Sequence, residues 1–229
     1  MPQNIIISGA SGNLGQEVVK RLSDNGDKLY VTTGSRNPDM FNAFENVSAE
    51  AVNLLDGEAS LNFVNQTISK ANTIQAGIFL AGAFAMGDIV QTDDTLIEKM
   101  FGVNFFTAFH LVKPLIAHFE ENGGGQFIFI GARPALEADQ GAGSLAYALS
   151  KSLIFKLAEF INAEGRSKNI TATVIVPSII DTPTNREAMQ DADFTKWIAP
   201  SDIAESIAFI LSGTGKKLRE PVLKIYNNG

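Results

Sequence analysis

With 229 residues, 45% of them apolar, and a formal net charge of −7, the chain can bury a substantial core. It lacks the clustered lysine and arginine of a nucleic-acid groove. The absence of cysteine removes disulfides and thiolate chemistry, and with His110 and His118 as the only histidines the expected metal content is none. No signal-peptide succession opens the chain and no apolar run is expected to cross a bilayer uninterrupted, so it reads as a cytoplasmic protein with no membrane role.

Strand-like and helix-like segments alternate. A β-branched run at Asn4–Ser8 predicts the first strand, and Leu14, Val18, Val19 and Leu22 make one apolar helical face closed by Asn25-Gly26. Residues 29–33 read as the second strand and 51–54 as the third. A polar helix then runs to about residue 72, followed by a buried strand at 77–80. A long helix is expected over about 95–119, with Pro114 kinking or restarting it. Gly123-Gly124-Gly125 stops that helix before an almost wholly apolar strand at 126–130. A second long helix covers about 144–163, then come a strand at 171–176, a helix at 201–211 and a last strand at 221–226. This order predicts the α/β class: a single doubly wound, Rossmann-type parallel sheet with helices on both faces, in one domain over residues 1–229.

The junction of the first strand and helix reads Ser8-Gly9-Ala10-Ser11-Gly12-Asn13-Leu14-Gly15. Glycines there let the backbone turn tightly and approach a pyrophosphate, while the helix directs its free N–H groups at the charge. Gly9, Ser11, Gly12, Asn13, Leu14 and Gly15 are the candidate contacts, with Ser11 and Asn13 as small polar side chains beside the phosphates. The second strand leads into Thr33-Gly34-Ser35-Arg36, with no carboxylate before Asp39 to hold a ribose 2′-hydroxyl. Arg36 either pairs with a 2′-phosphate through its parallel donors or faces solvent in a turn. The expected cofactor is NADP(H), with NAD(H) as the alternative.

Tyr147 and Lys151 stand four apart in a predicted helix and share a face. A cationic neighbour favours phenolate and is expected to lower the tyrosine from its usual value of about 10. Alone, such a pair is usually a solvated stripe; together with the glycine turn it reads as an acid–base pair.

In their order, these pieces resemble the short-chain dehydrogenase/reductase family over nearly the whole chain. The matching positions are the Gly9–Gly15 turn, Asn53-Leu54, Leu80-Ala81-Gly82-Ala83, Asn104, Tyr147-x-x-x-Lys151 and the segment from Pro177 through Ile180 to Thr182. The resemblance implies that Tyr147 is the proton donor or acceptor, that Lys151 holds the nicotinamide ribose and lowers the tyrosine pKa, and that Asn104 supports a water relay to the lysine. It also places Asn53, Leu54, Ala81, Gly82, Pro177, Ile180 and Thr182 at the cofactor. Each has a plainer reading: Asn104 as a bridge within its helix, Thr182 as a helix cap, Asn53 as a strand-end residue. A homodimer or homotetramer paired through the two long helices is expected from the family and from Phe101, Phe105, Phe106 and Phe109, and the partner is otherwise a small-molecule substrate.

Two departures matter. Phe79 and Leu80 replace the asparagines usual after the fourth strand, and Ala132 is the best match to the serine that normally hydrogen-bonds the substrate carbonyl. Ser144 is a candidate to compensate. The quinonoid dihydropteridine reductase branch lacks that serine too, and 181–186 and 192–197 resemble it. Asn104 and Arg36 depart from that branch toward the general family. The reading is hydride transfer to a small conjugated carbonyl or imine. The alternatives are an ordinary ketone reductase and a catalytically silent NADP(H)-binding sensor or scaffold.

Overall fold

The computed structural model describes residues 2–218 and 221–227. In chain order the elements are β1 Asn4–Ser8, α1 Asn13–Asp24, β2 Lys28–Thr32, β3 Val47–Glu50, α2 Gly57–Ala71, β4 Ala76–Phe79 and α3 Asp94–Phe101. There follow α4 Thr107–Glu121, β5 Gly125–Ile130, α5 Ala138–Gly141, α6 Leu145–Gly165, β6 Ile170–Pro177, α7 Pro183–Ala188, α8 Pro200–Leu211 and β7 Val222–Ile225. The strands form one seven-stranded sheet in the order β3-β2-β1-β4-β5-β6-β7. Every neighbouring pair is parallel, so all carboxyl ends lie along one edge. The order reverses between β1 and β4, which opens a crevice at that edge.

Successive strand residues point to opposite faces, and β1 shows the consequence. Ile6 joins Phe79, Phe127, Phe129, Leu111, Leu115 and Ile154 under α2, α4 and α6. Ile5 and Ile7 join Val18, Val19, Leu22, Ile203 and Ile207 under α1 and α8. Each such fully buried aliphatic side chain contributes about 1.5–3 kcal/mol. Both faces of the sheet are covered, as the near-continuous apolar strands require.

One expectation, the third strand, is corrected. The third strand is Val47–Glu50, pairing Leu29 with Val47, and residues 51–54 form the loop that follows it. That loop is apolar because Val52 and Leu54 are buried in the core at 5% and 6% exposure. Of the two expectations for Pro114, a restart is absent: α4 runs through the proline, with Leu111, Val112 and Leu115 buried beside it. A π-helical turn, Gly102–Phe106, lies between α3 and α4. The continuous helical stretch Asp94–Glu121, 28 residues, is long and apolar enough by length and composition to cross a membrane, with Asn104, His110 and Lys113 among its polar interruptions. Here its apolar face packs on the sheet, with Leu111, Leu115 and Phe119 at 0% exposure.

Candidate active site

At the carboxyl edge, the glycine turn and the loops after β2, β3 and β4 enclose a groove of about 560 Å³. Gly9, Ser11, Gly12, Arg36, Asn53, Leu54, Ala81 and Gly82 line it. Thr33, Leu55, Val103 and Thr107 also line it and were not singled out from the sequence. Val103 on the π-helical turn Gly102–Phe106 and Thr107 at the start of α4 stand four apart and present one helical face to the groove. A larger cleft of about 680 Å³, near Asn162 and Arg166 at the start of β6, contains none of the candidate residues.

The turn is shaped for an extended anionic ligand. Gly9 adopts φ +70°, and a Cβ there would stand 2.5 Å from Ala81 N, so only glycine lets the loop after β4 come this close. A Cβ at Gly15 would collide with the Gly9 carbonyl, which is how α1 packs so tightly behind the turn. No side chain caps α1 among the described residues, because Gly12 occupies the cap position. The first-turn N–H groups of Asn13, Leu14 and Gly15 are therefore left to a ligand, at the positive end of the helix. Thr32, also lining the groove, has a buried hydroxyl without a partner among the described residues. These donors and the missing Cβ atoms fit a dinucleotide pyrophosphate.

The groove's polar side chains are held in place. Ser11 Oγ donates to Thr33 O at 2.9 Å, so the hydroxyl proton serves the end of β2. The guanidinium of Arg36 reaches back across the groove to donate to Ser11 O. Asn53 Oδ1 accepts from Leu55 N at 3.2 Å, tightening the loop after β3.

Lys151 and Asn104 converge behind Gly82. A Cβ at Gly82 would lie 2.8 Å from Asn104 Oδ1 and 3.3 Å from Lys151 Nζ. Asn104 Oδ1 accepts from Ala83 N at 2.9 Å, and its Nδ2 donates to Ala83 O and to Ser150 Oγ, both at 3.0 Å. Ser150 Oγ in turn donates to Tyr147 O at 2.8 Å, which ties the π-helical turn to the first turns of α6. Ser150, immediately before Lys151 and three residues after Tyr147, was legible in the sequence only as a helical neighbour.

The electrostatics differ from expectation. Burial pushes Tyr147 up to about 12 and Lys151 down to about 8, so both groups are driven toward their neutral forms. The expected lowering of the tyrosine by its neighbour is absent, and Lys151 Nζ instead donates to Ile130 O at the end of β5, at 2.9 Å.

Other candidates lie outside the groove lining. Pro177 ends β6, Ile180 bridges Ile198, and Thr182 caps α7 by accepting from Asn185 N at 3.2 Å. Ala132 is buried in extended backbone just past β5. Ser144, at the cap position of α6, is buried and forms a bridge with Gly87.

The short chain dehydrogenase family model matches residues 3–193. The dihydropteridine reductase of Dictyostelium discoideum is 29% identical over 215 residues, covering 90% of this chain and 87% of its own. The 3-oxoacyl-[acyl-carrier-protein] reductase MabA of Mycobacterium tuberculosis is 23% identical over 233 residues, covering 97% and 91%. A solved structure described as ElxO with NADP bound superposes with a TM-score of 0.88 at 21% identity, covering 98% and 97%. Membership implies a small-molecule substrate. From its sheet, its crevice and these likenesses, the chain belongs to the short-chain dehydrogenase family and is an NAD(P)-dependent oxidoreductase.

Proposed function

We propose that the enzyme moves hydride from NADPH to a small conjugated imine or carbonyl, with a quinonoid dihydropterin as the leading substrate. The observation that carries this reading is Ala132: the position expected to polarise a ketone holds a buried methyl group, while Lys151 and Asn104 converge behind Gly82. Losing a donor aimed at developing negative charge costs a ketone reductase on the order of a hundredfold or more. A conjugated imine with ready hydride affinity has less need of that donor. The D. discoideum relative, named a dihydropteridine reductase, supports the same substrate class.

The bound dinucleotide supplies the hydride. Gly9, Gly12 and the first turn of α1, through Asn13, Leu14 and Gly15, hold its pyrophosphate. Ser11 shapes the turn from its bond to Thr33. Asn53, Leu54, Ala81 and Gly82 wall the groove, and Pro177, Ile180 and Thr182 support the nicotinamide end. Arg36 reads a 2′-phosphate, and the likeness to the NADP-bound ElxO structure supports use of a nicotinamide dinucleotide in general. Tyr147 keeps its proton across the physiological range and delivers it to the reduced substrate. Lys151, poised near 8, gives and takes a proton readily beside it. Asn104 orders the space behind Lys151 through its bonds to Ala83 and Ser150.

A ketone reductase of 3-oxoacyl type is the second reading, favoured by the MabA likeness. Phe106 on the π-helical turn, Phe109 on α4, and Leu149 and Phe160 on α6 stay exposed, which supports a homodimer or homotetramer through these helices. The decisive test compares NADPH-dependent rates on quinonoid dihydropterin and on 3-oxoacyl thioesters. Faster turnover of the thioester would replace the leading reading with the second.

A further inference from the structure

We infer that His110 is a positioning residue for the dinucleotide: from α4 it fixes the loop after β3 that walls the groove. The inference rests on the reading that this groove holds the cofactor. The ladder between β2 and β3 ends at Glu50, so the loop carbonyls beyond it need other donors. His110 Nδ1 lies 2.9 Å from Leu54 O. A carbonyl only accepts, so Nδ1 carries the proton. Ser60 Oγ also reaches Leu54 O, at the longer distance of 3.4 Å.

Two neighbours pack against this ring. A Cβ at Gly57, the first residue of α2, would sit 3.5 Å from His110 Nε2. Phe106 packs one turn earlier, its ring centroid 5.9 Å from that of His110. Leu54 and its neighbours Asn53 and Leu55 line the groove, as do Val103 and Thr107 from the helical segment that carries His110. One side chain therefore links that segment to the opposite wall of the site without touching the reacting end.

The test measures the NADPH dissociation constant by fluorescence, together with KM and kcat, for wild type, His110→Phe, His110→Asn and His110→Gln. Phenylalanine keeps the ring packing and removes the donor. It is expected to raise the dissociation constant and KM for NADPH about three- to tenfold, the loss of one net hydrogen bond, with kcat within about twofold. Asparagine carries an N–H at the same bond count from the backbone as Nδ1 and should bind as wild type does. Glutamine reaches one carbon farther and should resemble phenylalanine. If the phenylalanine variant does not fold, the asparagine–glutamine contrast decides alone. Equal binding by wild type and phenylalanine, or by asparagine and glutamine, overturns the role of His110 while leaving the groove assignment standing. A wild-type protein that binds neither NADPH nor NADH overturns the groove assignment and this inference together.

Discussion

Phe84 sets the edge of its ring against Tyr147, with centroids 5.0 Å apart and planes at 75°, yet 59% of Phe84 remains exposed. The loop that presents it is tied to the start of α6: Gly87 N donates to Gly143 O, and Leu145 N donates to Gly87 O. Phe84 is thus part of the cover that pushes Tyr147 up to about 12. Removing that cover lowers the phenol toward its ordinary value of 10. A proton donor loses activity as pH rises through its pKa, so Phe84→Ala should bring the alkaline limb of the pH–rate profile down. Phe84→Leu should fall between the two. An alkaline limb that stays put in the alanine variant would show that Phe84 gives Tyr147 no shelter.

Tyr147→Phe removes one hydroxyl and keeps the ring against Phe84. Turnover should fall at least a hundredfold, the scale of a lost general acid. The NADPH dissociation constant should stay within about threefold, because no groove contact changes. Comparable turnover in this variant would remove Tyr147 from the chemistry.

The parallel sheet was legible because its strands are apolar on both faces and its helices are not, as Ile5, Ile6 and Ile7 show in one strand. The third strand was misplaced for the converse reason. Val47–Glu50 alternates partly buried and exposed residues at the sheet edge, whereas the loop after it carries the buried Val52 and Leu54. Composition reports burial, and burial coincides with strand only where the backbone is paired. The placement of Lys151 and Asn104 around Gly82 followed from motif order. The direction in which Tyr147 titrates did not, since it depends on what covers the ring, and Phe84 comes from a distant loop. The π-helical turn has no proline or glycine pair to announce it. It is a matter of backbone pairing over Gly102–Phe106, which the side-chain pattern does not encode.

Arg36 should set cofactor choice. Its guanidinium spans from the end of β2 to Ser11 O, at the rim where a 2′-phosphate would lie. Charge-assisted hydrogen bonds contribute about 1.5–3 kcal/mol, so Arg36→Ala should weaken NADPH roughly tenfold to a hundredfold. NADH binding should change by less than about threefold, as it presents no matching charge. Isothermal titration with both dinucleotides checks this; equal losses for the two would mean that Arg36 only braces the turn.

Lys151 sets function against stability. Its folded pKa of about 8 lies below the ordinary 10.5, so charging it in place costs about 3 kcal/mol at neutral pH. The penalty is complete below about 8 and vanishes as pH rises through 10.5. Lys151→Met removes that cost but leaves Ile130 O without its donor, which offsets about 1 kcal/mol. The variant should therefore be inactive yet more resistant to urea at pH 7 by about 1–2 kcal/mol, with the gain shrinking toward pH 10. A less stable variant at pH 7 would mean that the lysine is charged in place without penalty.

His118 gives the acid side its own signature. The ring is buried at 6% exposure in α4, and its Nε2 accepts from Ile74 N at 2.9 Å, just before β4. Burial lowers its pKa from the ordinary 6.5, with Glu121 opposing weakly. A folded state that prefers the neutral ring keeps this stability above the unfolded value and loses it as pH falls below about 6.5. Protonation also takes away the lone pair that receives Ile74 N–H. His118→Gln places a non-titrating amide oxygen at the corresponding reach, so its stability should fall less between pH 7 and pH 5 than that of wild type. Urea unfolding across that range measures the difference, and parallel acid losses in the two proteins would move the sensitivity elsewhere in the chain.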